Sequence, residues 1–422
     1  MQEKVLNTPI ETPIVEKNIG VNENLKRAIL AIQHLFAMFG ATVLVPILTG
    51  FDPSVALVSA GLGTLIFHLV TKGMVPVFLG SSFAFIPVII TVKELYNGDL
   101  AYAQGGIIVA GMIYILMSLI VKTVGIEKVK KYFPAQVTGP MIVVIGLNLI
   151  PVAFGMASGN FIVAIATLST ALLITLFAKG FIKQLSILIA VATGYILSLS
   201  LGLIDINIIK EASWVMVPNF TLPKFDIGAI AIIAPVVLAV FMEHIGDVTT
   251  NGAVVGKDFI KNPGLNRTLI GDGLATIVGG FIGGPANTTY GENTGVLAIT
   301  KNYDPSILRI TAVFAIALGC ISKVGIFLRT IPTPVMGGIS LMLFSMIAII
   351  GVKTVKNSDI EFKASNLIIM ASILIIGFGT NYLQGKGISI GIPVTESVKI
   401  TGLSLAAIVG IVLNRVLNRD SI

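Results

Sequence analysis

The sequence predicts an all-α integral membrane protein, and three observations carry that prediction. Of 422 residues, 55% are apolar and only 12% charged, with a mean hydropathy of +0.95, a composition suited to lipid. A spanning helix needs about 20 mostly apolar residues, and such stretches recur about fourteen times. The short segments outside them hold most of the Lys and Asp.

Residues 1–26 mix both charge signs without a continuous apolar core, which predicts a cytoplasmic tail rather than a cleavable leader. Spans follow at about 27–49, 54–72, 74–92, 103–122, 134–154, 160–178, 184–203, 226–248, 266–283, 286–301, 306–328, 334–351, 366–383 and 400–417. With the N-terminus inside, roughly 21 of the 28 Lys and Arg fall on the cytoplasmic side. Lys122, Lys128, Lys130 and Lys131 form one such cluster, and Lys353, Lys356 and Lys363 another. Both termini are therefore expected in the cytoplasm, in a cell-membrane protein. The same asymmetry accounts for the net charge of +7 without nucleic acid as a partner. The longest loop, about 204–225, carries Trp214 and is placed on the outer side.

Two echoes predict an internal repeat. Phe133-Pro134-Ala135-Gln136-Val137-Thr138-Gly139 returns as Ile331-Pro332-Thr333-Pro334-Val335-Met336-Gly337, and Gly61-Leu62-Gly63-Thr64 returns as Gly273-Leu274-Ala275-Thr276. Each recurs seven spans later, and an odd number of spans inverts the second copy relative to the first. The expected plan is two inverted repeats of seven, at 27–203 and 226–417.

In repeats of this kind a solute site lies where spans are interrupted, because free backbone N–H and C=O groups then reach the midplane. Span 3 contains Gly80-Ser81-Ser82-Phe83-Ala84-Phe85-Ile86-Pro87. Span 10 opens with Gly283-Gly284-Pro285-Ala286-Asn287-Thr288-Thr289-Tyr290-Gly291-Glu292. Pro87 and Pro285 disfavour continuous helix, whereas Ser, Thr and Tyr accept extended backbone. Each span is expected to be broken, a short strand leading into a helix, with the two strands paired.

A charge at the centre of a span costs about 2.5–3.5 kcal/mol on insertion scales, so those that persist point to function. Glu243 and Asp247 stand one helical turn apart and share a face; they fit either a structural pair or a site for solute and proton. Glu292 follows the break in span 10, where a helix N-terminus offsets its charge. Asp272 and Asp258 are read as structural. The only histidines are His34, His68 and His244, and they lack metal-ligand spacing, so no metal is expected. His34 suits an interhelical hydrogen bond, while His244 lies about 100° around the helix from Glu243 and points elsewhere. The single Cys320, within an apolar run, is expected to be a small buried hydrophobe. No HExxH, GxSxG or Walker-type phosphate loop occurs, so neither an enzyme nor an ATP-driven pump is supported and no cofactor is implied.

Gln33-His34 with Ala37-Met38-Phe39-Gly40-Ala41-Thr42, then Gly80-Ser81-Ser82-Phe83-Ala84-Phe85, Glu243-His244-Ile245-Gly246 and Asn287-Thr288-Thr289-Tyr290-Gly291-Glu292-Asn293-Thr294-Gly295 make the pattern specific. Together they closely resemble the nucleobase-ascorbate transporter family, its bacterial uracil permease branch most of all. The family signature Glu-Asn-x-Gly-x-x-x-x-Thr-basic is met by Glu292, Asn293, Gly295, Thr300 and Lys301. The resemblance implies fourteen spans in a core domain (27–122 and 226–328) and a gate domain (134–203 and 334–417), with proton-coupled uptake of uracil and a homodimer. By motif position it implies Glu243 and Glu292 as carboxylates binding the base, Phe83 and Gly291 as backbone contacts, and Ala41 and Tyr290 as apolar walls. His34 and Asn293 support the site, and Glu243, Asp247 and Glu292 are the proton-coupling candidates.

Uracil fits these groups chemically. Its two N–H donors suit carboxylates, and its two carbonyls suit main-chain N–H groups at the interrupted spans. One departure bears on substrate: the uracil branch carries His where this chain has Asp247, as xanthine and urate carriers do, whereas Tyr290-Gly291-Glu292 follows the uracil branch. A proton-coupled carrier of xanthine or another purine is the alternative. An anion exchanger of related fold is disfavoured because Glu243, Asp247 and Glu292 would repel its solute.

Overall fold

The computed structural model describes residues 23–358, 360–384, 386, 388, 390–394 and 399–418. The expected tail, 1–26, lies almost entirely outside the described residues. Lys130 is described in its backbone only.

The chain opens with α1 (Glu23–Thr49) and α2 (Pro53–Val70), joined at a corner where Asp52 accepts a hydrogen bond from Ser54 N and caps α2. Extended backbone follows, with strand β1 (Leu79–Ser81), a single 3-10 turn over Phe83–Phe85, and α3 (Ile86–Leu95). Pro87 falls in the first turn of α3, so it opens this helix rather than interrupting one. Next come α4 (Ala101–Val124), α5 (Ala135–Ala157), α6 (Phe161–Phe177) and α7 (Ser186–Ser200).

After the long loop, α8 runs over Ile227–Val255 with a 3-10 turn at Ala234–Val236, where Pro235 removes a donor. Then follow α9 (Leu265–Ile282), strand β2 (Asn287–Thr289), α10 (Gly291–Thr300) and α11 (Pro305–Gly319). The last helices are α12 (Thr333–Lys356), α13 (Ala364–Gln384) and α14 (Gly402–Leu417). Among the described residues, α1, α2, α4, α5, α8 and α12 are long and apolar enough to cross a membrane, and shorter apolar helices accompany them. The outward faces carry large apolar side chains such as Leu176, Phe177, Ile196 and Ile375, as lipid contact requires. The chain is a multi-pass, all-α membrane protein.

The expected pair of strands is present. β1 and β2 run antiparallel, with Leu79 opposite Thr289, Gly80 opposite Thr288 and Ser81 opposite Asn287. Ser82 N donates to Ala286 O at 2.8 Å and Tyr290 N to Phe78 O at 3.0 Å, extending the ladder at both ends. Such a ladder satisfies the backbone of two extended segments that lie wholly buried.

Helix packing gathers α2, α4, α9 and α11 with α1, α8 and the strands, and gathers α5, α6, α7 and α12 with α13 and α14. Glycines let helix backbones meet closely: a Cβ at Gly146 would lie 2.5 Å from Phe344 O, and one at Gly111 would lie 2.7 Å from Gly273 O. Arg27 pairs with Asp304 at 2.8 Å, tying the start of α1 to the cap of α11. Cys320 is only half-buried, because it sits at the C-terminus of α11, where the chain turns out of the bundle; the expectation of a buried cysteine is corrected.

Candidate functional site

Three carboxylates converge beside the strand crossing, Glu243 and Asp247 on one face of α8 and Glu292 in the first turn of α10. They stand close enough to repel one another. Their surroundings differ from the sequence expectation of burial: Glu243 is exposed, and Asp247 and Glu292 are half-buried. The reason is an opening between α8 and the start of α10. A Cβ built on Gly246 would meet nothing within 4 Å, and one on Gly291 would meet only Asp247 Oδ1, at 3.9 Å. Two glycines thus keep the space beside the carboxylates free.

The strand crossing fixes the walls of this opening. Thr289 Oγ1 donates to Asp247 Oδ2 at 3.0 Å, so β2 orients one of the three carboxylates. The Tyr290 ring covers Gly80 so tightly that a Cβ there would sit 2.4 Å from the ring, and its hydroxyl donates to Ser81 O at 2.9 Å. Ser81 Oγ in turn donates to Thr42 O of α1 at 3.0 Å. Asn287 Nδ2 reaches Ser59 Oγ and Ala275 O, both at 2.9 Å, and Thr276 Oγ1 donates to Asn287 O at 3.0 Å. Each bond ties one element to another, which holds the crossing in a single geometry.

Of the sequence-predicted residues, Glu243, Asp247, Gly291 and Glu292 border the opening, and Phe83 is half-buried at the turn after β1. Ala41 and Tyr290 are buried instead, at 0% and 4% exposure, and pack within one apolar cluster. Tyr290 spends its hydroxyl on Ser81 and so braces β1 in this conformation. His34 and Asn293 meet as a buried pair: Asn293 Nδ2 donates to His34 Nδ1 and to His34 O, each at 3.1 Å, locking α10 to α1.

Other residues were not recognised from sequence. His244 points away from the opening as expected, but its Nδ1 lies 2.9 Å from Asp272 Oδ2, with both side chains fully buried, and its Nε2 is 2.9 Å from Thr268 Oγ1. Asp272 is thereby partnered by His244 rather than by nearby Arg267, which donates to Val70 O. Asn251, one turn below Asp247, bridges Pro76 O and Thr294 Oγ1, each at 3.0 Å. Thr268 and Asn251 left no sequence signal beyond being polar in apolar helices, and the run that marks Thr289 as extended backbone does not show its bond to Asp247.

Comparison with known proteins follows this geometry. A family model described as "Permease family", Xan_ur_permease, matches residues 25–385. The chain belongs to that family. It is similar to the probable uracil permease of Haemophilus influenzae, at 41% identity over 403 residues, covering 93% of this chain and 94% of the relative. The uracil permease of Bacillus caldolyticus is 42% identical over 404 residues, covering 92% and 91%. That of Escherichia coli K12 is 39% identical over 425 residues, covering 97% and 96%. Among solved structures, the fold is shared with the transmembrane domain of the cyanobacterial bicarbonate transporter BicA, with a TM-score of 0.65 at 15% identity, covering 85% of this chain and 96% of that one. It is shared also with the murine solute carrier 26 family member A9 anion transporter in the inward-facing state, with a TM-score of 0.66 at 10% identity, covering 95% and 69%. The permease is a transporter and not an enzyme.

Proposed function

We propose that this permease imports uracil with protons across the cytoplasmic membrane, and that Glu243 and Glu292 hold the base. The opening bordered by Glu243, Gly246, Asp247, Gly291 and Glu292 carries the proposal. It combines acceptors for two ring N–H groups with the free N–H groups of a helix N-terminus for the carbonyls. The names of relatives near 40% identity support uracil as the solute.

Within this reading, spans 3 and 10 are the interrupted spans of two inverted seven-span repeats, and both termini are cytoplasmic. The group containing α1–α4 and α8–α11 is the core domain that carries the site, and α5–α7 with α12–α14 form the gate. Phe83 and Gly291 offer main-chain contacts to the base, and Ala41 and Tyr290 back the apolar side. Three carboxylates at one opening repel each other, so a proton bound among Glu243, Asp247 and Glu292 offsets that repulsion and travels with the solute.

Asp247 favours a second reading, xanthine, because its oriented carboxylate adds an acceptor that a purine with more N–H groups could use. Labelled uracil uptake in cells lacking their own permease separates the two. The proposal expects saturable uptake that excess unlabelled uracil blocks, that excess xanthine leaves intact, and that a protonophore abolishes. Uptake indifferent to uracil but blocked by xanthine would overturn the substrate, and uptake that survives the protonophore would overturn proton coupling.

A further inference from the structure

Between α6 and α7 the chain makes a short helical turn, Gly180–Gln184, which packs against α10 of the other helix group. Its last residue, Gln184, is half-buried, and its amide rests directly on Gly295: a Cβ at Gly295 would lie 2.7 Å from Gln184 Nε2 and 3.0 Å from Oε1. Gly295 is therefore a place where α10 must have no side chain if the amide is to reach the helix. Among the described residues the Gln184 side chain makes no hydrogen bond.

Residues three apart on a helix are neighbours, with Cβ positions about 5–6 Å apart. Gly295 stands three residues beyond Glu292, so the Gln184 amide lies one turn along α10 from that carboxylate. An unpartnered amide, brought by a segment that is not part of α8, α10 or the strand crossing, thus stands against α10 one helical turn from Glu292. A side-chain amide presents one acceptor and two donors, the complement of the adjacent N–H and C=O on a pyrimidine ring edge.

We propose that Gln184 is a specificity-determining residue, the polar contact that the second helix group supplies to the solute held at Glu292. From its seat on Gly295 it turns to the C=O/N–H edge of the base. The proposal rests on the solute reading above, since only a ligand with an amide-like edge rewards this placement. It also gives Gly295 a reason: the amide needs a flush surface to rest on and to leave.

Uptake kinetics of the full-length protein in cells, with membrane levels measured for each variant, provide the test. Gln184→Ala is expected to raise KM for uracil about tenfold, the loss of one ordinary hydrogen bond, with a much smaller change in maximal rate. Gln184→Asn, which keeps the amide at shorter reach, should fall between the two. Discrimination of uracil from its 4-thio analogue should shrink in Gln184→Ala, which a merely structural role would not produce. Gly295→Ala should raise KM in the native background and add nothing in Gln184→Ala. An unchanged KM in Gln184→Ala, or full additivity with Gly295→Ala, overturns the assignment. Wild-type uptake blocked by xanthine and not by uracil would instead overturn the substrate, and the same four variants read with xanthine would then decide Gln184 by the same KM criterion.

Discussion

The second helix group and the strand crossing use polar residues differently. In α5–α7 and α12–α14, several buried hydroxyls turn back on their own helix, as when Thr167 Oγ1 donates to Val163 O and Ser198 Oγ to Gly194 O, at 2.8 and 2.7 Å. Such bonds satisfy a polar group inside an apolar slab and leave the helix surface free for close packing. Around β1 and β2 the same residue types reach across: Ser81 to α1, Asn287 to α2 and α9, Thr289 to α8. The glycines beside the carboxylates differ too. Gly338 and Gly351 bring helix against helix, whereas Gly246 and Gly291 face open space. One group is a slab that packs, and the other is a frame that holds an opening.

Breaking the frame should therefore cost far more transport than disturbing its surroundings. The largest effect is expected from Gly80→Ala, whose methyl would overlap the Tyr290 ring and push β1 from β2. Overpacking of this kind costs about 1–3 kcal/mol of stability, and displacement of a binding site by about 1 Å can cost about a hundredfold in rate. Uptake assays should register a loss of that order, against a modest fall in melting temperature of the purified protein. Equal uptake by Gly80→Ala and wild type would show that the strand crossing does not position the site.

A smaller effect is expected from Thr289→Val, which keeps the shape of the strand and removes the donor to Asp247. A hydrogen bond to a charged group contributes about 1.5–3 kcal/mol, so uptake should fall about tenfold, with a fall in melting temperature of a few degrees. If Asp247 serves only the helix, Asp247→Asn should transport as well as wild type, with its response to a protonophore intact.

The smallest effect belongs to the periphery. Asp99 lies in the loop between α3 and α4, and the Lys224 ammonium of the loop before α8, hydrogen-bonded to it at 2.7 Å, holds its carboxyl below the ordinary carboxylate value. A carboxyl lowered in the folded state contributes stability above its unfolded pKa and loses it as pH falls through the folded value. Thermal melts between pH 6 and about 3 should thus show a slight acid destabilisation that Asp99→Asn reduces, with uptake at neutral pH unchanged.

Much of the frame was legible in the sequence, because run length marks spans and because Pro, Ser and Thr in an apolar run mark extended backbone. Gly80–Pro87 and Gly283–Glu292 showed where the strands lie, and Glu243 and Glu292 stood out as charges in lipid. Partnerships across elements were not legible. That His244 sits against Asp272, and that Tyr290 gives its hydroxyl to Ser81, depend on which helices are neighbours, and no local pattern encodes this. The openness at Glu243 was hidden for the same reason, since Gly246 and Gly291 read as small residues until the space beside them is seen.

Equilibrium binding of labelled uracil to the purified protein, comparing wild type with Glu292→Gln, tests the central claim most directly. Wild type should bind saturably, and Glu292→Gln should lose at least about a hundredfold in affinity, as expected when a charge-assisted acceptor is replaced and the solute N–H faces an amide donor. Undiminished binding by a correctly folded Glu292→Gln would contradict that claim.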